Sequence, residues 1–512
     1  MKRILGVAAL LIAASLPGGA ASDTIAIEGG RVRGTSGGGV RVFKGIPFAA
    51  PPVGPRRWKA PEPVVRWSGV KAADKFSSQC MQPPYPAGSA YASPPQPMSE
   101  DCLYLNVWTA ATANDNKRPV MVWIHGGGWT RGSSSTATYD GTALAKKGVV
   151  VVTANYRLGM LGFLAHPALT NESSNHASGN YAILDHIAAL KWVQKNIGAF
   201  GGDSSRVTIF GESAGSWSVN VLQASPLAKG LFHRALGESG GQFAGTSSLA
   251  VSEKNGVAAA TAVGATTLAD LRKLPAAKLL DVEEFRTGPT VDHYVLAEDV
   301  RTIFARGRQN GVPVLVGSNA NEMTTLSDPA TFPTTMLEFR RQISVRFPGF
   351  LTQFDAAYPV KSEADIPAVM LALGRDQTFA LEMRTWARLA TAAAQKAFLY
   401  QFSHVPPSPN AKTWGAYHAS EVAYVFGTLK NRKWPYTDTD FKLSDEMSSY
   451  WVNFAKSGDP NGAGLPAWAP YDLAEEAYLD LGDTVQIKHH LLKTQLDFID
   501  DAMLRRRPGR RQ

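Results

Sequence analysis

A serine flanked by glycines, between an apolar run and a helix-compatible segment, constrains this chain most. The apolar residues 207–210 indicate a strand, Gly211-Glu212-Ser213-Ala214-Gly215 follows directly, and residues 216–218 open the helix-compatible segment. Two glycines let the backbone fold tightly without a Cβ clash, which holds the serine at the tip of the bend. The pattern predicts a strand, a sharp turn and a helix, with Ser213 as a candidate nucleophile.

A second glycine-rich turn follows an earlier buried strand. Residues 119–124 form that strand and lead into His125-Gly126-Gly127-Gly128-Trp129. Acyl transfer needs backbone N–H groups aimed at the oxygen that becomes negative, and such a turn supplies them together with the amide after the nucleophile. The predicted donors are Gly127, Gly128 and Ala214. A glycine loop without a role is the alternative, and a phosphate loop is disfavoured because no Gly-Lys-Ser or Gly-Lys-Thr follows.

Composition indicates a globular protein with a large core. The 512 residues are 44% hydrophobic and 19% charged, and the formal net charge is +9. Lys2, Arg3 and five arginines among residues 505–511 carry most of this excess, so the body of the chain is close to neutral. Because the sequence also has no zinc-knuckle spacing or other nucleic-acid signature, nucleic acid is not an expected partner.

The first 21 residues have the three parts of a secretory signal. Lys2 and Arg3 are basic, residues 4–16 are mainly apolar, and residues 18–21 are small. We expect cleavage after Ala21 or within a residue or two, and a mature protein in the periplasm or outside the cell. No later segment offers 18 or more consecutive apolar residues, so no membrane span is expected.

Strand-like and helical segments alternate through the rest of the chain. The expected strands are residues 120–124, 148–155, 207–210, 312–316 and 398–402, and a helix is expected at residues 187–197. This alternation favours an α/β fold with a mostly parallel sheet and helices on both faces. We expect a single domain over residues 22–500 and a basic, disordered tail at residues 501–512.

The chain has two cysteines, Cys80 and Cys102, which flank the proline-rich residues 83–97. In an exported protein such a pair is expected to form a disulfide. Two buried free thiols are the alternative. A catalytic cysteine is disfavoured, because no other motif converges on either residue.

Ser213 requires a base to take its proton and usually an acid to orient that base. Residues 315–322 indicate a strand that runs into a polar loop, which places Glu322 at the carboxyl edge of the sheet and makes it the candidate acid. An ordinary solvated carboxylate is the alternative for Glu322.

Four histidines follow Glu322 in the sequence. His404 ends a strand just before two prolines, and His489 and His490 lie in a segment that resembles a surface helix. His418 lies in a loop just before residues 422–426 and is the best-placed base. No further ligand at useful spacing supports a metal at His418, and neither a metal nor a cofactor is expected.

Seven ordered segments along nearly the whole mature chain carry a family resemblance. They are residues 43–49, 51–54, 99–107, 125–128, 155–159, 200–203 and 210–215. In these segments the chain resembles the type-B carboxylesterases, the cholinesterase-like branch of the α/β-hydrolases. The resemblance implies the α/β-hydrolase fold and hydrolysis of small-molecule esters by a serine hydrolase without a cofactor. It also implies Ser213 as nucleophile, Glu322 as acid, His418 as base, and an oxyanion hole at Gly127, Gly128 and Ala214.

The same resemblance implies two structural contacts, a disulfide between Cys80 and Cys102 and an ion pair between Arg57 and Glu100. His186 stands where the family often has a glutamine, and a structural role is expected for it. Glu212, beside the nucleophile, either tunes the field at the site or holds the turn.

One departure from the family bears on the substrate. Choline-specific members have a tryptophan in the first disulfide loop, and none occurs between the two cysteines here, although Tyr85 and Tyr91 offer aromatic faces. A cholinesterase is therefore not expected. A lipase or amidase specialisation of the same groups is one alternative, and a non-catalytic binding protein on the same fold is another. The sequence leaves the acyl and alcohol preferences and the oligomeric state open.

Overall fold

The computed structural model of the protein describes residues 23–112, 115, 117–280 and 282–505. The signal peptide predicted for residues 1–21 lies outside the described residues, as do residues 506–512 of the predicted tail. The prediction that the tail begins at residue 501 is wrong, because the last helix continues to Arg505. Leu496, Ile499 and Ala502 recur every three residues along this helix and are all buried, so its apolar face extends past residue 500.

Strands and helices alternate along much of the described chain. The strands are β1 (Thr24–Ile27), β2 (Gly30–Arg33), β3 (Thr35–Gly37), β4 (Val40–Pro47), β5 (Val70–Ala72), β6 (Gln79–Cys80), β7 (Met98–Ser99), β8 (Tyr104–Thr109), β9 (Arg118–Ile124), β10 (Val150–Ala154), β11 (Gly202–Glu212), β12 (Arg234–Glu238), β13 (Ser247–Ser248), β14 (Thr290–Val291), β15 (Val314–Asn319), β16 (Ala397–Phe402), β17 (Ala477–Leu481) and β18 (Val485–His489). The α-helices are α1 (Thr142–Lys146), α2 (Gly159–Phe163), α3 (Pro167–Glu172), α4 (Tyr181–Asn196), α5 (Ala214–Ala224), α6 (Leu249–Ala262), α7 (Leu268–Lys273), α8 (Val300–Ala305), α9 (Met336–Arg346), α10 (Leu351–Ala357), α11 (Ile366–Arg375), α12 (Leu381–Ala392), α13 (Ala411–Trp414), α14 (Val422–Val425), α15 (Asp438–Ser457) and α16 (Lys493–Arg505).

An eleven-stranded sheet organises these elements, in the order β18-β17-β16-β15-β12-β11-β9-β10-β8-β4-β3. The strands from β17 to β10 in this order pair in parallel. Antiparallel strands complete both edges. The five strands expected from the sequence correspond to β9, β10, β11, β15 and β16 of the parallel block, so the prediction of a mostly parallel α/β sheet is confirmed.

Helices cover both faces of the sheet. Successive residues of a strand point to opposite faces, and residues of both kinds are buried on β11. On β11, Ile209 is buried in a core with residues of α4, α5 and α12, whereas the next residue, Phe210, is buried with residues of α14 and α15. The helix expected at residues 187–197 is the C-terminal part of α4. None of the helices in the described ranges combines the length and apolarity needed to cross a bilayer.

The segment that contains His489 is expected from the sequence to be a surface helix, and this prediction is wrong. It forms β18, which pairs antiparallel with β17 at one edge of the sheet. Val485 and Ile487 alternate with the polar Gln486 and Lys488, and this period of two is that of a strand.

The two contacts implied by the family resemblance are present. Cys80 and Cys102 form a disulfide with their Cα atoms 5.0 Å apart, which excludes two free thiols. Arg57 is buried and donates to both carboxylate oxygens of Glu100, over 2.7 Å from Nε and 2.5 Å from Nη2. This bidentate pair fixes the chain just before Cys102.

Candidate active site

The serine turn lies at the carboxyl end of β11, in the middle of the parallel block, where α/β sheets bind their ligands. β11 ends at Glu212 and α5 begins at Ala214, so Ser213 alone makes the turn, with φ 56° and ψ −123°. A residue with a side chain is strained there, and such strain is typical of nucleophile turns. A Cβ atom on Gly215 would lie 2.0 Å from the Ile124 carbonyl oxygen, so only glycine lets α5 begin this close to β9. The predicted strand, turn and helix are confirmed.

Glu322 and His418 meet between the loops that follow β15 and β16. Glu322 Oε2 lies 2.6 Å from His418 Nδ1, and both side chains are buried. The other carboxylate oxygen of Glu322, Oε1, accepts hydrogen bonds from Ser239 Oγ over 2.6 Å and from the Asn319 N–H over 2.7 Å. A carboxylate at Nδ1 favours the tautomer with its proton on Nδ1, which leaves Nε2 available for proton transfer. The structure thus brings the predicted acid and the predicted base into contact.

Glu212 reaches the second ring nitrogen of the same histidine. Its Oε1 lies 3.0 Å from His418 Nε2, and its side chain is buried. Burial disfavours a charged imidazole, but the carboxylates of Glu212 and Glu322 outweigh burial and raise the pKa of His418 well above its usual range. Burial in turn raises the pKa of Glu212, which the charge of His418 opposes. Of the two roles considered for Glu212, this contact favours tuning of the field.

The glycine turn after β9 packs against the nucleophile. A Cβ atom on Gly126 would lie 3.1 Å from Ser213 Cβ. Gly127 and Gly128 have φ of 104° and 63°, and in the described chain the N–H groups of neither residue donate to a protein acceptor. Ala214 is the first residue of α5, so its N–H has no acceptor within the helix. Three amides with no other acceptor at this edge of the sheet suit the stabilisation of an oxyanion.

Aromatic side chains line the surroundings of His418. Tyr91, within the disulfide ring, places its hydroxyl 2.6 Å from Thr325 Oγ1 and donates over 3.3 Å to the His418 carbonyl oxygen. The Phe379 ring centroid lies 4.8 Å from that of the imidazole. The indole of Trp217 does not belong to this group. It lies next to Gly240, which also approaches the Ser213 carbonyl oxygen.

Several residues around the site were not identified from the sequence. Ser239 follows β12 and donates a hydrogen bond to Glu322. Its position just after a parallel strand was the only sequence feature that could have indicated a place in the site. Glu238 directly precedes Ser239, and Glu421 accepts a hydrogen bond from the side chain of Asn319, whose N–H donates to Glu322; both carboxyl groups are buried. Burial raises the pKa of Glu238 to about 8 and that of Glu421 well above its usual value. Burial disfavours the charged forms of both carboxyl groups.

His186 has the structural surroundings that were expected for it. It is buried, and its ring centroid lies 4.4 Å from that of Tyr156, whose hydroxyl donates to the His125 carbonyl oxygen. Burial, with a smaller effect of His125, lowers the pKa of His186 to about 3, so it is neutral. Within the described ranges, no group of three or more His, Cys, Asp or Glu side chains is arranged to hold a metal ion.

Comparison with known proteins places this chain in a family. The sequence model of the Carboxylesterase family matches residues 21–499. The fumonisin B1 esterase of Sphingopyxis macrogoltabida is 39% identical over 465 residues, which cover 87% of this chain and 84% of that protein. The para-nitrobenzyl esterase of Bacillus subtilis (strain 168) is 36% identical over 479 residues, which cover 89% of this chain and 94% of that protein.

Solved structures agree with this assignment. A PNB esterase superposes with a TM-score of 0.79 at 32% identity, and the carboxylesterase of Geobacillus stearothermophilus at pH 6.2 with a TM-score of 0.80 at 34% identity. Each comparison covers 93% of this chain and 99% of the other. The chain belongs to the carboxylesterase family and is a carboxylic ester hydrolase.

Proposed function

We propose that Ser213, His418 and Glu322 are the catalytic triad, and that they hydrolyse small-molecule carboxylic esters through an acyl-enzyme intermediate. The observation that carries this proposal is the 2.6 Å contact between Glu322 Oε2 and His418 Nδ1, both buried beside the strained serine turn. Nucleophile, acid and base follow one another along the chain in the order typical of α/β-hydrolases.

The proposed reaction has two halves that use the same groups. Ser213 Oγ attacks the ester carbonyl carbon while His418 Nε2 takes its proton, and the alcohol leaves with that proton. His418 then takes a proton from water while the water oxygen attacks the acyl carbonyl carbon. The imidazolium returns that proton to Ser213 Oγ as the bond between Oγ and the acyl carbon breaks, which releases the acid and regenerates the enzyme. During each half the imidazolium lies between two carboxylates, Glu322 at Nδ1 and Glu212 at Nε2, which stabilise its charge. The amides of Gly127, Gly128 and Ala214 hold the oxyanion.

The substrate range follows from the walls of the site and not from the triad. Lipase and amidase activities use the same groups, so they are alternative specialisations. One relative is named for fumonisin B1 and another for para-nitrobenzyl esters. Fumonisin B1 and a para-nitrobenzyl ester are therefore suitable test substrates.

The direct test is pre-steady-state hydrolysis of p-nitrophenyl esters from acetate to palmitate by the purified protein. We expect a burst of p-nitrophenol stoichiometric with enzyme, and stoichiometric modification of Ser213 by a phosphonate ester, located by mass spectrometry of the labelled peptide. Faster turnover of long acyl chains would favour a lipase, and turnover of a matched p-nitroanilide an amidase. A folded protein that gives no burst and carries no label on Ser213 would contradict the proposal.

Replacing Glu212 with glutamine is expected to move the acidic limb of the kcat/KM profile to lower pH by about one unit or more. The base form of His418 is the neutral imidazole, which forms only above the raised pKa. Because the Glu212 carboxylate contributes to that raised value, removing its charge lets neutral His418 form at lower pH. Profiles of the wild type and of the exposed control variant Glu284→Gln should coincide. An unchanged limb in Glu212→Gln would show that Glu212 does not act on His418.

The two glycines of the oxyanion turn are expected to respond differently to alanine. A Cβ atom on Gly127 would lie 2.3 Å from the Arg131 carbonyl oxygen, so the turn must move, and we expect kcat to fall by about 10²- to 10³-fold. A Cβ atom on Gly128 has Thr130 Oγ1, 3.7 Å away, as its nearest neighbour, which leaves mainly the left-handed backbone cost of about 1–2 kcal/mol. Steady-state kinetics of both variants test this, and a larger loss in Gly128→Ala would contradict it.

We also propose that the chain from residue 22 to the end of α16 at Arg505 forms one catalytic domain, exported to the periplasm or beyond after cleavage near Ala21. The basic, apolar and small-residue parts of the N-terminal segment and the disulfide support export. N-terminal sequencing of the protein from fractionated cells should give a start at or within two residues of Ser22. A cytosolic protein that begins at residue 1 would contradict this.

A further inference from the structure

Two tyrosines of the disulfide ring reach the active site, and their hydroxyl groups differ in one respect. The Tyr91 hydroxyl is engaged with Thr325 Oγ1 and the His418 carbonyl oxygen. The Tyr85 ring lies beside it, with the two ring centroids 6.3 Å apart. Across the described chain the Tyr85 hydroxyl makes no hydrogen bond to a protein group. A phenol with one free donor inside a substrate site is a candidate for contact with the substrate.

The Tyr85 hydroxyl points at the oxyanion turn. It lies 3.1 Å from the position that a Cβ atom on Gly127 would take, so it stands against the bare Cα of that glycine. Burial raises the pKa of Tyr85 to about 12; the nearby charge of Glu212 adds to this, and that of Arg131 opposes it. The phenol is therefore protonated near neutral pH and able to donate a hydrogen bond.

The position of Tyr85 is fixed by contacts of its own ring and of the residues just before it in the sequence. Gln82 and Gly132 exchange two hydrogen bonds of 2.8 Å, which tie the start of the disulfide ring to the end of the glycine turn. Arg131 Nε donates to the Pro84 carbonyl oxygen over 3.1 Å, and the Arg131 guanidinium lies 5.9 Å from the Tyr85 ring centroid. A donor held this way loses little conformational entropy when a ligand binds.

The chemistry of the leaving group identifies the part of the substrate that Tyr85 faces. His418 Nε2 must protonate the departing alcohol oxygen, so the alcohol portion lies on the His418 side of Ser213. Tyr91 packs against the imidazole with ring centroids 6.2 Å apart, and Tyr85 packs against Tyr91. Glu212, which contacts Nε2, is also close enough to act on the Tyr85 hydroxyl. Tyr85 therefore lies among the side chains around His418, on the side where the alcohol is expected.

We propose that the Tyr85 hydroxyl donates a hydrogen bond to an oxygen in the alcohol portion of the substrate, and so selects esters whose alcohol carries an ether or hydroxyl oxygen near the ester bond. This inference rests on the proposed triad, because the side on which the alcohol leaves is defined by His418. It concerns recognition alone, and Tyr85 takes no part in proton transfer.

An isosteric pair of substrates tests the inference. 2-Methoxyethyl butyrate and butyl butyrate differ by one ether oxygen in place of a methylene, and kcat/KM is measured for each by pH-stat titration. We expect Tyr85→Phe to lower the ratio of kcat/KM for the ether ester to that for the butyl ester by about 3- to 10-fold, which corresponds to one neutral hydrogen bond. The ratio does not depend on the fraction of enzyme that is folded, because both esters report on the same active molecules.

Tyr91→Phe is the matched control, from the same ring and with the same loss of one hydroxyl. It is expected to lower kcat/KM for both esters alike, because the Tyr91 hydroxyl contacts Thr325 and His418. An unchanged ratio in Tyr85→Phe would overturn the inference, and so would an equal fall of the ratio in Tyr91→Phe. A wild-type enzyme that hydrolyses neither ester, and gives no burst with any p-nitrophenyl ester, would contradict the proposed function and the inference with it.

Discussion

Replacing Ser213 with alanine is expected to lower kcat for p-nitrophenyl butyrate by about 10⁵-fold or more, with little change in stability. The triad acts as a unit, so without the nucleophile His418 and Glu322 no longer contribute to the rate. Rate enhancement by the oxyanion amides and by substrate binding remains, about 10³- to 10⁴-fold over water in comparable serine hydrolases. The backbone strain at φ 56° is the same for serine and alanine, which is why the fold should be unaffected.

The measurement is single-turnover and steady-state kinetics at enzyme concentrations high enough to detect the residual rate, with thermal unfolding of both proteins. Ser205→Ala is the matched control, because Ser205 is exposed at the other end of the same strand and its hydroxyl donates to Asp203. We expect the control variant to retain the wild-type kcat. A Ser213→Ala variant that keeps more than about one hundredth of the wild-type kcat would exclude Ser213 as the nucleophile, because triad loss costs far more than that.

Those features of the fold and site that depend on local sequence pattern could be predicted. Five of the parallel strands are visible as apolar runs, and the two glycine turns follow from where two of those runs end. β12 and β17 were not predicted, because neither contains a β-branched residue. Glu322 and His418 could be chosen because loops after parallel strands meet at one edge of the sheet, whichever way the strands are ordered. The prediction at His489 failed for a local reason, since a short edge strand next to a helix offers few residues on which to judge the period.

Features that depend on the direction of a side chain could not be predicted. Glu212 is adjacent to Ser213 in sequence, yet only the folded turn shows that its carboxylate reaches His418 Nε2. Glu238 and Glu421 carry a residue type that is rarely buried, so nothing in their sequence context favoured a place in the core. The free hydroxyl of Tyr85 likewise depends on how the disulfide ring folds back over the glycine turn.

Replacing Glu322 with glutamine is expected to lower kcat by about 10⁴-fold, with the fold retained. The reason lies in the two donors that hold Oε1. Ser239 Oγ and the Asn319 N–H both require an acceptor there, so the amide oxygen of the variant takes that position and its NH₂ group faces His418 Nδ1. An NH₂ group at Nδ1 requires a lone pair on that nitrogen, which moves the imidazole proton to Nε2. The base is then protonated at the very atom that must accept the proton of Ser213.

A second variant, Ser239→Ala, distinguishes a tautomer effect from a loss of packing. It removes one donor from Oε1 and leaves the carboxylate facing Nδ1, so its kcat should fall by only about tenfold, on the scale of one charge-assisted hydrogen bond. The kcat of Glu322→Gln should rise at high pH as hydroxide takes over part of the role of the base, whereas that of Ser239→Ala should follow the wild-type profile. If Glu322→Gln kept about a tenth of the wild-type kcat, the carboxylate would be holding the loop and not the tautomer, since a misplaced imidazole proton costs far more.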